Sequence, residues 1–345
     1  MPNPFHARIL PAPRAGGFCL NDHWVWCGSA IREDDGHYHL FASRWPKVLP
    51  FRRGYILTSE VVRAVADRPT GPYHLAEVVL PARGADYWDG RMTHNPTIVR
   101  VENRFALFYI GSTFDGHLPD PHPLREIDPP ALSDRLPQLS TSYNRIQIGL
   151  ATAPTPAGPW QRSATPVLSP RPGGWDHQLV TNPAPCVLPD GRIRLYYRAN
   201  TPQGLRLGVA EAAALDAPFR RLQDDPLDFC DAGHYVEDPF VWSVEDHYEM
   251  IAKDMKGSFT GEPHAGIHAT SPDGLHWTPS NPAKAYSRTV EWDDGTTTVQ
   301  GCLERPQLLF EHGRPTHLFA ATADGPGGFD RAQNTWTMVL PLTPN

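Results

Sequence analysis

Four carboxylates in this chain stand where acid–base chemistry on a sugar would need them. Asp22, Glu237, Asp238 and Glu304 each sit at the mouth of a short apolar run, in Asp22-His23-Trp24-Val25-Trp26, Glu237-Asp238-Pro239-Phe240 and Glu304-Arg305-Pro306-Gln307. Cleaving a glycosidic bond takes two carboxyl groups in different protonation states: one protonates the leaving oxygen while the other activates water or attacks the sugar. Crowded acids reach that state when like charge or desolvation raises one pKa and a nearby arginine holds another low. On this pattern Asp22 is the expected general base and Glu237 the expected general acid. Asp238 or Glu304 tunes the acid and grips hydroxyls, and Arg305 orients a carboxylate. Taken singly, an Asp-Pro or Glu-Arg at a strand start only caps a turn; the four acids together favour chemistry.

The elements that position these acids form a series. The residue before proline is Asn95, Asn182, Asp238 and Arg305 in four copies, and Asp22 takes that place in the first because Asp22-His23-Trp24-Val25-Trp26 parallels Asp238-Pro239-Phe240-Val241-Trp242. One position earlier lie Asn21, His94, Thr181, Glu237 and Glu304. Each start leads through a turn into an aromatic-rich strand, as in Phe105-Ala106-Leu107-Phe108-Tyr109 and Leu195-Tyr196-Tyr197. Third strands then close on turns such as Thr70-Gly71-Pro72-Tyr73, Ala157-Gly158-Pro159-Trp160 and Asp273-Gly274-Leu275-His276-Trp277. Five copies of one unit predict an all-β five-bladed β-propeller, with four-stranded antiparallel blades around a central channel. One domain spans 1–345, its blades at roughly 20–80, 92–168, 179–225, 235–282 and 300–345. The strand Trp336-Thr337-Met338-Val339-Leu340 either completes the fifth blade or closes the ring against the first. A Pro-rich insertion at about 111–144, with Pro121-His122-Pro123 and Asp128-Pro129-Pro130, is a rim loop, either a wall over the axial pocket or a surface excursion.

Composition narrows the partners. A net charge of −7 without any Lys/Arg-rich stretch argues against nucleic acid and anionic membranes. No apolar run approaches the roughly 20 residues of a membrane span. The first residues lack the basic start and apolar core of a secretory signal, so a cytoplasmic location is expected. The 38 prolines and 28 glycines imply many turns and few long helices. Five cysteines, Cys19, Cys27, Cys186, Cys230 and Cys302, stand singly and give no zinc spacing. No cofactor is required by any motif, although gathered carboxylates and carbonyls suit a structural calcium in the channel. Nothing in the sequence sets the oligomeric state.

Further polar residues join the expected pocket: His94, Asn95, Asn182 and the aromatic Trp24, with His268 beside them. Trp88-Asp89 and Trp175-Asp176 precede Asn95 and Asn182 by the same six residues; they are either sugar-binding pairs, the better reading for Asp89, or repeated turn braces. Arg44, Arg198 and Lys253 end equivalent second strands, where they either lock blades by salt bridges or hold an anionic group.

The Asp238-Pro239 start and the closing strands from Gly149-Leu150-Ala151-Thr152-Ala153 to Gly158-Pro159-Trp160 resemble the five-bladed propeller glycosidases of the glycoside hydrolase family 43 type and its relatives, including fructan- and arabinan-acting enzymes. The resemblance covers nearly the whole chain. It implies hydrolysis of a terminal furanoside or related sugar, commonly with inversion, by an axial Asp base, an Asp modulator and a Glu acid. Asp22 matches the base. Asn95 and Asn182 stand where the modulator and acid belong, so either Asp89 and Glu237 or Glu304 replace them, or the arrangement is this branch's own. The leading expectation is an exo-acting glycosidase on short oligosaccharides. A phosphorylase holding inorganic phosphate on Arg44, Arg198, Lys253 or Arg305, and a non-catalytic carbohydrate-binding propeller, are the alternatives.

Overall fold

The computed structural model describes residues 4–120, 124, 136–229, 235–325, 327–328 and 331–344. Cys230 and the segments Pro121-His122-Pro123 and Asp128-Pro129-Pro130 lie outside them. A short N-terminal strand, β1 (Phe18–Cys19), comes first. Blade 1 is β2 (His23–Arg32), β3 (Tyr38–Pro46), β4 (Glu60–Ala66) and β5 (His74–Leu80); blade 2 is β6 (Met92–Val101), β7 (Arg104–Ser112), β8 (Gln147–Ala153) and β9 (Gln161–Arg162). Blade 3 comprises β10 (Thr181–Val187), β11 (Ile193–Thr201), β12 (Gly204–Ala212) and β13 (Arg220–Arg221). Blade 4 comprises β14 (Val236–Val244), β15 (His247–Asp254), β16 (Gly266–Ser271) and β17 (Thr278–Tyr286). A hairpin, β18 (Thr289–Glu291) and β19 (Thr297–Val299), leads into blade 5: β20 (Cys302–Glu311), β21 (Arg314–Ala323) and β22 (Thr335–Pro341). Neighbouring strands in every sheet are antiparallel, and the five blades form a β-propeller.

The ring closes through the N-terminus. β1 pairs with β22, Phe18 opposite Thr337 and Cys19 opposite Trp336, so Trp336–Leu340 belongs to blade 5 and the first strand of the chain supplies that blade's outer edge. Apolar layers fill the spaces between blades: Phe108, Leu195 and Tyr197 in one, Tyr196, Met250 and Trp277 in another, Phe18, Leu40 and Phe319 where first and last blades meet. The aromatic second strands are therefore the inter-blade cores.

Two short helices depart from the all-strand pattern. α1 (Phe51–Thr58) follows β3, entering through Pro50, and α2 (Pro137–Asn144) precedes β8 with proline in its first turn, a position that lacks a hydrogen-bond acceptor anyway. Leu57 of α1 and Leu139 of α2 share a small core with Leu49, Phe114 and Leu124, so the described end of the insertion folds back against blade 1. Among the described residues no helix is long and apolar enough to cross a membrane.

The two Trp-Asp loops are braces, which corrects the expectation that Asp89 binds substrate. Asp89 is fully buried; it accepts hydrogen bonds from Arg83 Nε (2.8 Å), Tyr109 Oη (2.7 Å) and Arg162 Nη1 (3.3 Å). Asp176 repeats the scheme with Arg171, Tyr197 and Arg221. Trp88 stacks on Tyr109 and Trp175 on Tyr197, each pair 5.9 Å apart. Asp89→Ala is expected to destabilise the fold by about 1–3 kcal/mol, because it leaves the buried Tyr109 hydroxyl and the partly buried Arg83 and Arg162 without their acceptor; urea unfolding of the variant measures this.

Candidate functional site

All five first strands carry the same irregularity. The register with the second strand slips between Trp26 and Ser29, His94 and Thr97, Thr181 and Ala184, Glu237 and Phe240, and Glu304 and Gln307. Inside each slip one residue is left-handed: Cys27, Asn95, Asn182, Asp238 and Arg305 have φ between 51° and 58°. Such a bulge re-aims side chains at the end of a strand. Non-glycine residues at positive φ are uncommon and cluster at functional sites. The bulges build two tiers around the axis, the left-handed residues below and Trp26, His94, Thr181, Glu237 and Glu304 above.

Blade 1 thus presents Trp26 and Cys27, not Asn21 and Asp22. Asp22 lies five residues upstream, 80% exposed, with its Oδ1 2.9 Å from His23 Nδ1, and is not part of the cavity wall. The expected general base is therefore not at the axis. The misalignment has a local cause: proline follows the bulge residue in four blades, but Gly28 follows Cys27. A Cβ at Gly28 would collide with the Thr337 side chain of β22, so the ring-closing blade excludes proline there. Trp24 moves with it; its indole donates to the Leu49 carbonyl (2.9 Å) and packs on Phe51, leaving Trp26 at the cavity. Arg44 forms a salt bridge with Glu60 (2.8 Å) outside the cavity, and His268 is held by Glu249 and Ser280 in blade 4.

The lower tier is a hydrogen-bonded arc. The Cys27 thiol donates to Asn95 Oδ1 (2.6 Å), Asn95 Nδ2 to Asn182 Oδ1 (2.7 Å), and Asn182 Nδ2 to Asp238 Oδ1 (2.6 Å). From the other side the Arg305 backbone N–H donates to Asp238 Oδ2 (3.2 Å), with its guanidinium 3.6 Å from Asp238 Oδ1.

The upper tier is ionic on one side. Lys253 Nζ lies 2.9 Å from Glu237 Oε2, 3.0 Å from Glu304 Oε1 and 3.8 Å from Asp238 Oδ2, and Arg198 Nη1 lies 3.4 Å from Glu237 Oε1. Burial alone would raise the Glu237 pKa, but Lys253, Arg198 and Arg305 overcome it and hold this carboxyl well below the usual range. These contacts favour the charged form of Glu237, whereas the expected role as the acid needs the protonated one. Asp238 moves the other way: burial and the Glu237 charge push it above the ordinary aspartate range against the pull of Lys253 and Arg305. Lys253 stays protonated. The Lys253 ammonium sits where the three carboxylates converge. Among the described residues one cluster of metal-ligand type, Glu33, Asp35 and His39, lies in blade 1 away from the cavity walls, with Arg63 Nη1 2.9 Å from His39 Nδ1.

The opposite side is aromatic. A cavity of about 710 Å³ opens above the tiers, walled by Trp26, Trp45, Phe51, Tyr55 and Tyr143. His94 sits in this wall, 4.7 Å from the Tyr55 ring and hydrogen-bonded through Nδ1 to Ser59 Oγ (2.8 Å); burial pushes its pKa down to about 3, so it is neutral. The sequence reading placed Glu237, Asp238, Glu304, Arg305, His94, Asn95, Asn182, Arg198 and Lys253 here, and all nine line the cavity. It missed the lining residues Trp26, Trp45, Phe51, Tyr55 and Tyr143, and Cys27 beneath them against Asn95. Phe51 and Tyr55 at i, i+4 spacing mark one helix face, but no sequence signal places that face over the axis.

No protein-family model matches the chain, and no curated protein matches it in sequence. Solved structures do match in fold. A family 117 glycoside hydrolase, Zg3597 of Zobellia galactanivorans, aligns with 97% of this chain and 89% of its own at 15% identity and a TM-score of 0.66. A GH43_1 enzyme from Xanthomonas citri aligns over 98% and 92% at 16% identity (TM-score 0.57), and the native arabinanase Arb43A of Bacillus subtilis over 94% and 95% at 11% identity (TM-score 0.58). The chain therefore has the five-bladed fold of these glycoside hydrolases.

Asp22→Ala is expected to leave the urea-unfolding midpoint unchanged, as befits a solvent-exposed side chain away from the cavity.

Proposed function

We propose that this protein is a glycoside hydrolase that accepts the terminal sugar of a short oligosaccharide in its axial cavity. Asp238 donates the proton and Glu237 is the ionised partner that activates water. One observation carries the reading: on the floor of an aromatic-walled cavity Glu237 lies against both Lys253 (2.9 Å) and Arg198 (3.4 Å), while the adjacent Asp238 lies farther from Lys253 (3.8 Å), contacts that favour the charged form of Glu237 and leave Asp238 raised by burial and by its neighbour's charge. Pairs separated in this way are how a site runs acid and base chemistry at one pH. Aromatic walls with a few convergent polar groups are the usual setting for a sugar.

Lys253 Nζ lies 2.9 Å from the Glu237 oxygen and 3.8 Å from that of Asp238, so both carboxyls reach the same point of the cavity floor. Inversion is the outcome proposed, on the resemblance to family 43, with Glu304, Arg198 and Lys253 left to grip hydroxyls. A furanoside is the sugar proposed, on the resemblance to family 43. A phosphorolytic version of the same reaction has one observation in its favour: the Arg305 guanidinium lies in the cavity wall without a hydrogen-bond partner among the described residues.

Aryl glycosides of both ring sizes, assayed with and without inorganic phosphate, test the reading; phosphate-dependent turnover would replace hydrolysis by phosphorolysis. Asp238→Asn and Glu237→Gln are each expected to lower kcat by about 10²–10⁴-fold while leaving ligand binding measurable. Retention of more than about a tenth of the activity removes that residue from its role. Activity requires Asp238 protonated and Glu237 charged. It therefore falls as pH rises through the elevated pKa and again only at strongly acid pH, giving an optimum on the acid side of neutrality, read from the pH profile of kcat/KM.

A further inference from the structure

We infer that Cys27, Asn95 and Asn182 form a one-way donor chain whose function is to set the protonation of Asp238. The inference rests on the hydrolase reading only for its kinetic consequence.

Each link points the same way. The Cys27 thiol donates to the Asn95 carbonyl oxygen, the Asn95 amide to that of Asn182, and the Asn182 amide to Asp238. Two further contacts hold the arc in place: Thr181 Oγ1 donates to Asn182 Oδ1 (2.9 Å), and the Asn95 backbone N–H donates to Ser43 Oγ (3.0 Å). All four residues are buried, and a buried donor or acceptor left unmet is costly. Successive bonds polarise one another. The chain therefore ends by delivering a strengthened donor to one carboxylate oxygen, and hydrogen bonding to the charged form lowers a carboxyl pKa.

This arc opposes the forces that raise Asp238. Around its carboxyl stand Glu237 on its own strand, Lys253 on β15, Glu304 and Arg305 on β20, Arg198 on β11, Cys27 on β2, and Tyr286 at the end of β17. Burial and the two glutamates favour the protonated form, while the cations favour the charged one. The asparagine arc adds a neutral donor to the second group, without the extra charge that an aspartate at 95 or 182 would bring into the tier. Asn95 and Asn182 are thus positioning residues rather than acids that have been lost.

The test reads Asp238 directly. Carbon-13 NMR of aspartate-labelled protein gives its carboxyl titration, the signal being identified by its loss in Asp238→Asn. Asn182→Ala is expected to raise the Asp238 midpoint by about one pH unit, a tenfold change in its acid equilibrium. Asn95→Ala should raise it by less and Cys27→Ala by least. The alkaline limb of kcat/KM should move upward with the titration. An unmoved titration in folded Asn182→Ala, its fold checked by near-ultraviolet circular dichroism, overturns the inference whatever the activity. If Asn182→Ala does not fold, the same graded shift in Asn95→Ala and Cys27→Ala supports the chain and its absence in both overturns it. Shifted titrations in a protein without turnover on any glycoside would remove the hydrolase reading and leave the donor chain supported.

Discussion

Five strands meet at one axis, and the polar head that each brings there can be satisfied only by its neighbours. Cys27, Asn95, Asn182, Asp238 and Arg305 are all buried, and a buried polar group without a partner is costly. A closed ring of repeats makes this unavoidable, because every blade must place some residue at the bulge. The chain meets the constraint with a sequence of donors that runs through three blades and stops at a carboxylate. That carboxylate, Asp238, and the two above it, Glu237 and Glu304, are matched by Arg305, Lys253 and Arg198. The Trp-Asp braces, the inter-blade aromatic layers and the N-terminal closing strand all serve to hold five strand ends at the spacing these contacts require.

Much of this was legible because proline marks the bulge. A residue before proline at a strand mouth gave the blade count and brought Asn95, Asn182, Asp238 and Arg305 into one alignment with their upper-tier neighbours. The mark failed in blade 1 for a reason outside its own sequence. Thr337, more than three hundred residues away, leaves room only for glycine after Cys27, so the nearest acid, Asp22, was drawn into the register instead. The same non-locality hid the partners of Asp89 and Asp176. A Trp-Asp pair reads equally as a sugar platform or a brace until Tyr109 and Tyr197 are seen to donate to the carboxylates from neighbouring strands.

The helices were illegible for a different cause. The α1 sequence Phe-Arg-Arg-Gly-Tyr-Ile-Leu-Thr carries glycine and β-branched residues that weaken helical propensity. It becomes helical in tertiary context, where Leu57 packs in a small core shared with Leu139 of α2 and Phe51 packs against Trp24, Trp26 and Trp45. Propensity was overridden by burial of one face.

That override decides how a ligand would lie. α1 follows the second strand of blade 1 and α2 precedes the third strand of blade 2, so the aromatic wall rises over blades 1 and 2, with Arg52 and Arg53 of α1 beside it, whereas the carboxylate cluster with Lys253 and Arg198 belongs to blades 3, 4 and 5. Neutral His94 extends the apolar side, and Thr181 separates it from the charges. A sugar has one comparatively apolar face and a rim of hydroxyls. On the hydrolase reading, a sugar set with its face on that wall turns its rim toward Glu237, Lys253 and Glu304. On the hydrolase reading this asymmetry precedes the chemistry. It fixes which glycosidic oxygen meets Asp238, and it requires that the two halves of the site come from different blades, since a single repeat cannot present an aromatic wall and an ion cluster to the same point.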